Sequence, residues 1–405
     1  MFGLISDRID YKTAAILLAL IASGLAAIYS ATYDAHASAY FYRQLLWAIG
    51  GMGIFIIMTV LPFRVLQLVA YPSYLFTILL LIAVLLFGKT VSGSTSWFNL
   101  GALRIQPSEF AKVTTALALA NYLSRSDVSL RNYRDLIVAA GFVILPVALI
   151  MMQPDTGTAI IYLGMFFPLL YWGEAARFTL LAIVAPVVAG VAALFGTTPF
   201  LIAVVSMGVL LYITKEHHLV AAIVFSVMVL VGVSVQFIYD GLKPYQQKRI
   251  ATFLDAEADP QGAGYNVIQS KVAIGSGGVL GKGYLKGTQT QLNFIPEQWT
   301  DFIFCVPAEE FGFLGGAIVL LLFMLLLMRG VKVASIVKNP YASFIAIGVT
   351  SVFGTHILMN VGMSLGLLPV VGIPLPFLSY GGSALITNVT MVGILMNLYA
   401  NRKEY

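Results

Sequence analysis

The stretch Asp301-Phe-Ile-Phe-Cys-Val-Pro-Ala-Glu-Glu-Phe-Gly-Phe-Leu-Gly-Gly-Ala-Ile-Val-Leu-Leu-Leu-Phe-Met-Leu-Leu-Leu-Met328 sets a carboxylate at the mouth of a long apolar run. About 20 apolar residues carry a helix across the hydrocarbon core of a bilayer, so residues 303–328 read as one membrane span. Asp301 stands just before it, at the end of a hydrophilic segment that begins near Asp240. A charge at the edge of a bilayer is costly, which marks a functional site unless the residue only caps a helix.

The same pattern repeats outward from this stretch. Of the 405 residues, 59% are hydrophobic and 10% charged, and the mean hydropathy is +0.90. That composition excludes a soluble globular chain. We read an all-α polytopic integral membrane protein, a single membrane-embedded domain over residues 1–405, with about twelve spans. They fall near 11–32, 44–62, 66–88, 107–123, 135–152, 155–172, 178–195, 199–214, 219–239, 303–328, 341–365 and 376–399. The net charge of +5 does not point to nucleic acid, because most Lys and Arg lie in short links between apolar runs. Cys305 is the one cysteine and lies in an apolar run, so neither a disulfide framework nor a cysteine metal site is expected. His36, His217, His218 and His356 form no HExxH-type spacing. The first apolar run lacks a small-residue cleavage site and reads as a retained span.

Counting cations in the links orients the chain. Arg8, Lys12, Arg64, Arg125, Arg131, Arg134, Arg177, Lys215, Arg329, Lys332, Lys338, Arg402 and Lys403 fall on one side, against Arg43, Lys89 and Arg104 on the other. The positive-inside rule then places both termini in the cytoplasm and residues 240–302 in one large extracytoplasmic loop. The tract Gly275-Ser-Gly-Gly-Val-Leu-Gly-Lys-Gly283 fits neither GxxxxGK[ST] nor GxGxxG, so a nucleotide site is rejected. Its glycines are expected to let the backbone turn sharply and approach a large ligand. Val267, Ile268, Val272, Ala273 and Ile274 recur with helical spacing, which predicts an amphipathic interfacial helix within the loop.

Three more polar groups interrupt apolar segments. Trp97 to Lys112 leads into the fourth span, where Pro107 suits a first helical turn. Glu109 and Lys112 are then i and i+3 and are expected to pair. Gln153-Pro-Asp-Thr-Gly-Thr158 carries Asp155, which reads equally as a helix cap. Leu375-Pro-Phe-Leu-Ser-Tyr-Gly-Gly-Ser383 has small residues suited to close packing, with Ser379 and Ser383 within reach of a ligand.

Six stretches carry a resemblance. They are Ile105-Gln-Pro-Ser-Glu-Phe-Ala-Lys112, Gln153-Pro-Asp-Thr-Gly-Thr-Ala159, Gly262-Ala-Gly-Tyr-Asn-Val-Ile-Gln-Ser-Lys271, Gly287-Thr-Gln289 with Gln298-Trp-Thr-Asp-Phe302, Ala308-Glu-Glu-Phe-Gly312, and Asn360 through Ser383. In this order they resemble the shape, elongation, division and sporulation (SEDS) family, and its rod-shape branch more than its division branch. Such proteins usually have ten spans, so residues 178–214 read either as an extra helix pair added to a ten-helix core or as re-entrant or interfacial helices.

The resemblance implies a peptidoglycan glycosyltransferase, an inverting hexosyltransferase that polymerises lipid II into glycan strands during elongation and rod-shape maintenance. Lipid II is an undecaprenyl-pyrophosphoryl disaccharide-pentapeptide. The implied setting is the bacterial inner membrane, with the active site on the extracytoplasmic face. Asp301 matches the family's essential acidic position and is the expected general base. Lys112, Arg104, Lys271 and Arg249 are candidate cations for the pyrophosphate, Glu109 is expected to hold Lys112, and Ser379 is a candidate ligand contact. Trp97 fits sugar stacking and an interfacial aromatic belt alike. No cofactor is required, and a divalent cation (Mg or Mn) is compatible with the leaving-group chemistry without a dedicated metal cage. The implied partners are the nascent glycan strand and a class B penicillin-binding protein transpeptidase. A flippase or transporter of a lipid-linked precursor is the alternative function. It requires a route across the membrane, whereas the charges gather near one face.

Overall fold

The computed structural model describes residues 10–33, 37–91, 94–100, 103–215, 218–242, 244–254, 263–292 and 294–403. The chain forms helices α1 (Tyr11–Ala31), α2 (Ala37–Val60) and α3 (Phe63–Phe87), and then strands β1 (Lys89–Val91), β2 (Ser94–Leu100) and β3 (Leu103–Ile105). Six long helices follow: α4 (Pro107–Leu123), α5 (Tyr133–Met152), α6 (Thr156–Trp172), α7 (Arg177–Leu194), α8 (Thr197–Thr214) and α9 (His218–Asp240). Four shorter ones come next: α10 (Pro244–Leu254), α11 (Ala263–Ser276), α12 (Thr288–Gln291) and α13 (Cys305–Glu310). The chain closes with α14 (Gly312–Ile336), α15 (Pro340–Ser364) and α16 (Gly382–Ala400).

Ten of the described helices are long and apolar enough to cross a membrane. The other two expected spans coincide with α4 and α6, each 17 residues long. Helix starts follow the local chemistry. Asp155 caps α6 by accepting from the Thr158 amide at 3.0 Å, Asn339 caps α15 by accepting from the Tyr341 amide at 2.9 Å, and Pro107 opens α4.

The expected span at 303–328 is displaced, because the long helix is α14, beginning at Gly312. Glu309 and Glu310 are fully buried among polar partners, and Gly312 adopts φ +66°. That left-handed residue separates the short α13 from α14, a conformation glycine tolerates without a Cβ penalty. The segment expected to form one loop over 240–302 therefore extends to Phe311 and is helical in four places. An all-helical reading also missed the small antiparallel sheet β1-β2-β3 between α3 and α4, in which Asn99 pairs with Arg104.

The core is built around α15, which packs against α4, α6 and α14, while α2 lies along α16. Asn397 of α16 donates to the carbonyls of Met58 at 2.9 Å and Thr59 at 3.2 Å, satisfying acceptors left over at the end of α2. Helices α7, α8 and α9 form a separate apolar cluster through Phe178, Ala185, Ala189, Leu211, Ala221 and Met228. Residues 178–214 thus fold as a hairpin of two 18-residue helices turning at Gly196, φ +112°.

Gly24 of α1 lies against the turn at Phe377, where a Cβ would meet the Phe377 carbonyl oxygen at 2.2 Å and the Leu378 Cα at 2.8 Å. Backbone cannot swing aside as a side chain can. Gly24→Ala should therefore lower resistance to thermal unfolding in detergent by about 1–3 kcal/mol. Gly53→Ala, where nothing lies within 4 Å, is the control and should be neutral or slightly stabilising. Equal melting of both variants would remove the close approach as an explanation.

Candidate active site

Asp301 is half-buried in a turn whose backbone is held from two directions. On its own side, the amides of Thr300 and Asp301 both donate to the Glu297 carbonyl, at 3.1 and 3.2 Å. Glu297 adopts φ +56°, an uncommon conformation for a residue with a Cβ. From the other side, three consecutive carbonyls are each pinned by a separate donor. Trp299 accepts from the Tyr380 amide at 2.8 Å, Thr300 from the Ser379 hydroxyl at 2.6 Å, and Asp301 from the Asn360 amide nitrogen at 2.8 Å. So constrained a backbone fixes the point from which the carboxylate projects.

The segment after α15 supplies the floor. Asn360 donates to Ile373 at 2.7 Å as well as to Asp301, so one amide ties the acidic residue to this floor. The Leu375 amide donates to the Ser379 hydroxyl at 2.8 Å. Gly372 has φ +74°, and a Cβ there would stand 3.3 Å from Asp301 Oδ2. The glycine lets the carboxylate lie directly against backbone.

Beneath the floor, Glu109 and Lys112 of α4 form the pair expected from their spacing, Lys112 Nζ to Glu109 Oε1 at 2.8 Å, with 4% and 1% of their surfaces exposed. Lys112 Nζ also contacts His356 Nε2 at 2.9 Å, and His356 Nδ1 lies 3.0 Å from the Pro374 carbonyl oxygen. The buried ion pair is thereby joined to the floor on which Asp301 rests. His356 escaped notice because no metal or catalytic spacing includes it. The available signal was a polar stripe at intervals of four, His356, Asn360 and Ser364, in an otherwise apolar helix. Asp155 caps α6 and also accepts from Gln106 Nε2 at 3.0 Å, which fastens the start of α4 beside it.

The other expected residues divide. Ser379 is 6% exposed and its hydroxyl proton goes to Thr300, so it secures the Asp301 turn rather than presenting a free donor. Lys112 likewise faces protein partners rather than solvent. Lys271 is exposed on α11 and lies over Gly366, where a Cβ would meet its Cε at 2.3 Å. Trp97 and the exposed Arg104 sit on β2 and β3, with β3 against α16. Arg249 belongs to α10, and its side chain lies outside the described residues. Among the described residues, no group of three or more His, Cys, Asp or Glu gathers to hold a metal ion. Cys305 is buried with Ala273, Ile295 and Phe302.

Glu309 and Glu310 hold the glycine-rich tract. The amides of Lys282 and Gly283 donate to the Glu309 and Glu310 carbonyls at 3.1 and 2.9 Å. Gly281, φ +81°, lies so close to Glu310 that a Cβ would meet its carbonyl oxygen at 2.1 Å. Gly277 and Gly281 therefore serve a close approach to the chain's own backbone at residues 308–311, whereas nothing lies within 4 Å of a Cβ at Gly275 or Gly278. The two carboxyls are tuned in opposite directions. Burial raises the Glu309 carboxyl, but Lys282, the Gln289 and Thr290 amides and the Thr290 hydroxyl outweigh it and hold the group below the usual carboxylate range. Burial raises Glu310 and prevails over the Ser30 hydroxyl and the Leu285 amide, with the Glu309 charge adding to the rise.

The signs of linkage differ accordingly. Glu309 stabilises the fold above the ordinary value of 4.5, and that contribution fades as pH falls through its lowered folded pKa. Glu310 stabilises below 4.5, and its contribution fades as pH rises through its raised folded pKa. Glu310→Gln should thus be neutral or stabilising in mildly alkaline buffer. Glu309→Gln should cost about 1–3 kcal/mol by misdirecting buried donors. Unfolding curves of both variants across pH test this, and identical pH dependence in the two would refute the opposed tuning.

Comparisons with known proteins identify the family. The family model for the cell cycle proteins FtsW, RodA and SpoVE matches residues 11–200 and 195–404. The chain is 36% identical to the peptidoglycan glycosyltransferase RodA of Treponema pallidum, covering 97% of this chain and 98% of that one. It is 35% identical to the peptidoglycan glycosyltransferase MrdB of Escherichia coli K12, covering 98% and 95%. Among solved structures, it superposes with a TM-score of 0.74 on a chain of a peptidoglycan synthase complex that coordinates polymerization and crosslinking, at 28% identity over 98% and 99% of the two chains. The crystal structure of RodA from Thermus thermophilus shares the fold, with a TM-score of 0.65 at 24% identity over 98% of each chain. The chain belongs to the FtsW, RodA and SpoVE family of cell cycle proteins, the SEDS family, on its RodA/MrdB side.

Proposed function

We propose that this protein is a peptidoglycan glycosyltransferase that polymerises lipid II into glycan strands during cell elongation, with Asp301 as its general base. The observation that carries the assignment is the clamped turn, in which the carbonyls of residues 299, 300 and 301 are each held by a different donor. Asp301 takes the proton of the acceptor sugar's 4-hydroxyl while that oxygen attacks the anomeric carbon of the donor. The bond from that carbon to the pyrophosphate oxygen breaks, and the lipid pyrophosphate leaves with the electron pair and inversion of configuration. Lys271 and Arg104, both exposed, and Arg249 are the cations we assign to the leaving group. Lys112 acts from beneath as part of the support. A divalent cation would arrive with the pyrophosphate and not be caged by protein.

The chain crosses the bacterial cytoplasmic membrane twelve times in this reading, with α4 and α6 as its two shortest spans, both termini in the cytoplasm and Asp301 on the extracytoplasmic face. The skew of Lys and Arg among the links supports this orientation. Helices α7 and α8 are the pair added to the family's ten-helix core. The partner is a class B penicillin-binding protein transpeptidase, in keeping with the relative found in a synthase complex. Purified protein with such a partner, given lipid II, should form polymer detectable by gel. Translocation of lipid II across vesicles without polymer would instead establish a flippase.

A further inference from the structure

His356 lies deep in the bundle on α15, 3% exposed, between a cation and a carbonyl. Lys112 has only hydrogens to offer, so the contact at 2.9 Å requires a lone pair on His356 Nε2. The remaining ring proton then sits on Nδ1, where it donates to the Pro374 carbonyl at 3.0 Å. The chain Glu109, Lys112, His356, Pro374 is thus a directional series of hydrogen bonds in which each partner fixes the next. Four residues along the same helix face, Asn360 grips Ile373 and Asp301. Consecutive floor carbonyls, at 373 and 374, are therefore held by consecutive polar positions of α15.

We propose that His356 is a positioning residue for glycosyl transfer: it transmits the orientation of the buried Glu109/Lys112 pair to the 372–374 floor and so sets the direction of the Asp301 carboxylate. The inference rests on the proposed role of Asp301. Its physical basis is the contact at Gly372, where backbone approaches Asp301 Oδ2 so closely that a Cβ would stand 3.3 Å from it. A shift of the floor displaces the carboxylate or opens space beneath it. Displacing a reacting group by about 1 Å costs on the order of 10²-fold in rate.

Three variants of the full chain with its partner test the idea on lipid II. In His356→Gln, the amide oxygen accepts from Lys112 and the amide nitrogen donates to Pro374, so turnover should stay within about fivefold of wild type. His356→Leu fills the space without either bond and should lower kcat on the order of 10²-fold, with KM for lipid II within about twofold. If the Leu variant does not fold, His356→Met replaces it. That variant fills the space with a more adaptable side chain, lacks the donor to Pro374, and should show the same kcat loss. Wild-type kcat in the Leu or Met variant, a loss in Gln as large as in Leu, or an effect confined to KM would each overturn the positioning role. Failure of the wild-type protein itself to make polymer would count against the proposed function instead, and so the two are distinguishable.

Discussion

Asp301→Asn should lower polymerisation turnover by about 10²- to 10⁴-fold, the range in which a positioned general base contributes, while the protein unfolds at nearly the wild-type temperature. Asn matches Asp in size but is neutral, and its amide cannot take a proton near neutral pH. The fold should tolerate the change because the backbone at this position is anchored by Asn360, Ser379, Tyr380 and the Glu297 carbonyl, none of which needs the carboxylate. Lipid II affinity should move little. The nearby acidic residues define the control. Glu297 is exposed and accepts from the Thr300 hydroxyl at 3.1 Å, and Glu309 and Glu310 are tied to the glycine-rich tract. Glu297→Gln should therefore stay within a few-fold of wild type. A fully active Asn variant, or a Glu297→Gln variant as inactive as it, would end the assignment of Asp301 as the base.

Much of this was legible in the chain because membrane helices must satisfy their own backbone and present apolar side chains to lipid. That constraint writes each span directly into composition, and α4 begins and ends where its proline and its apolar run predict, at 107 and 123. The Glu109/Lys112 pair was legible for a similar reason, since helical spacing alone brings i and i+3 together. The tenth expected span was misplaced because Phe302 to Phe311 is apolar enough to continue a helix. What ends it is a left-handed glycine at 312 and two glutamates whose partners lie on a segment about 20–30 residues earlier. Such long-range partners leave no local trace. Ser379 and Lys112 read from sequence as available to a ligand, because nothing local shows that Thr300 and His356 are waiting for them. The sheet is short, and its Thr, Val, Trp and Phe looked like any outer link.

Lys112→Met should be the most destabilising single change, by about 3–5 kcal/mol, because it leaves a buried carboxylate without its counter-charge. Glu109 is 4% exposed, and its Oε2 already has no hydrogen-bond partner among the described residues. Removing Lys112 would strip Oε1 of its ammonium as well, and would leave His356 Nε2 an acceptor with no donor. Adding Glu109→Gln removes the stranded charge. The double variant should recover half or more of the loss, since a neutral buried pair of similar volume is often tolerated as well as an ion pair. Denaturant resistance in mixed micelles measures both. The double variant should nevertheless remain slow in polymerisation, because restoring stability does not restore the chain of hydrogen bonds that orients the floor beneath Asp301. If single and double variants were equally unstable, the loss would lie in packing around the lysine stem and not in the buried charge. If the double variant regained full turnover, the pair would serve stability alone, and the link from α4 through His356 to Asp301 would have no catalytic consequence.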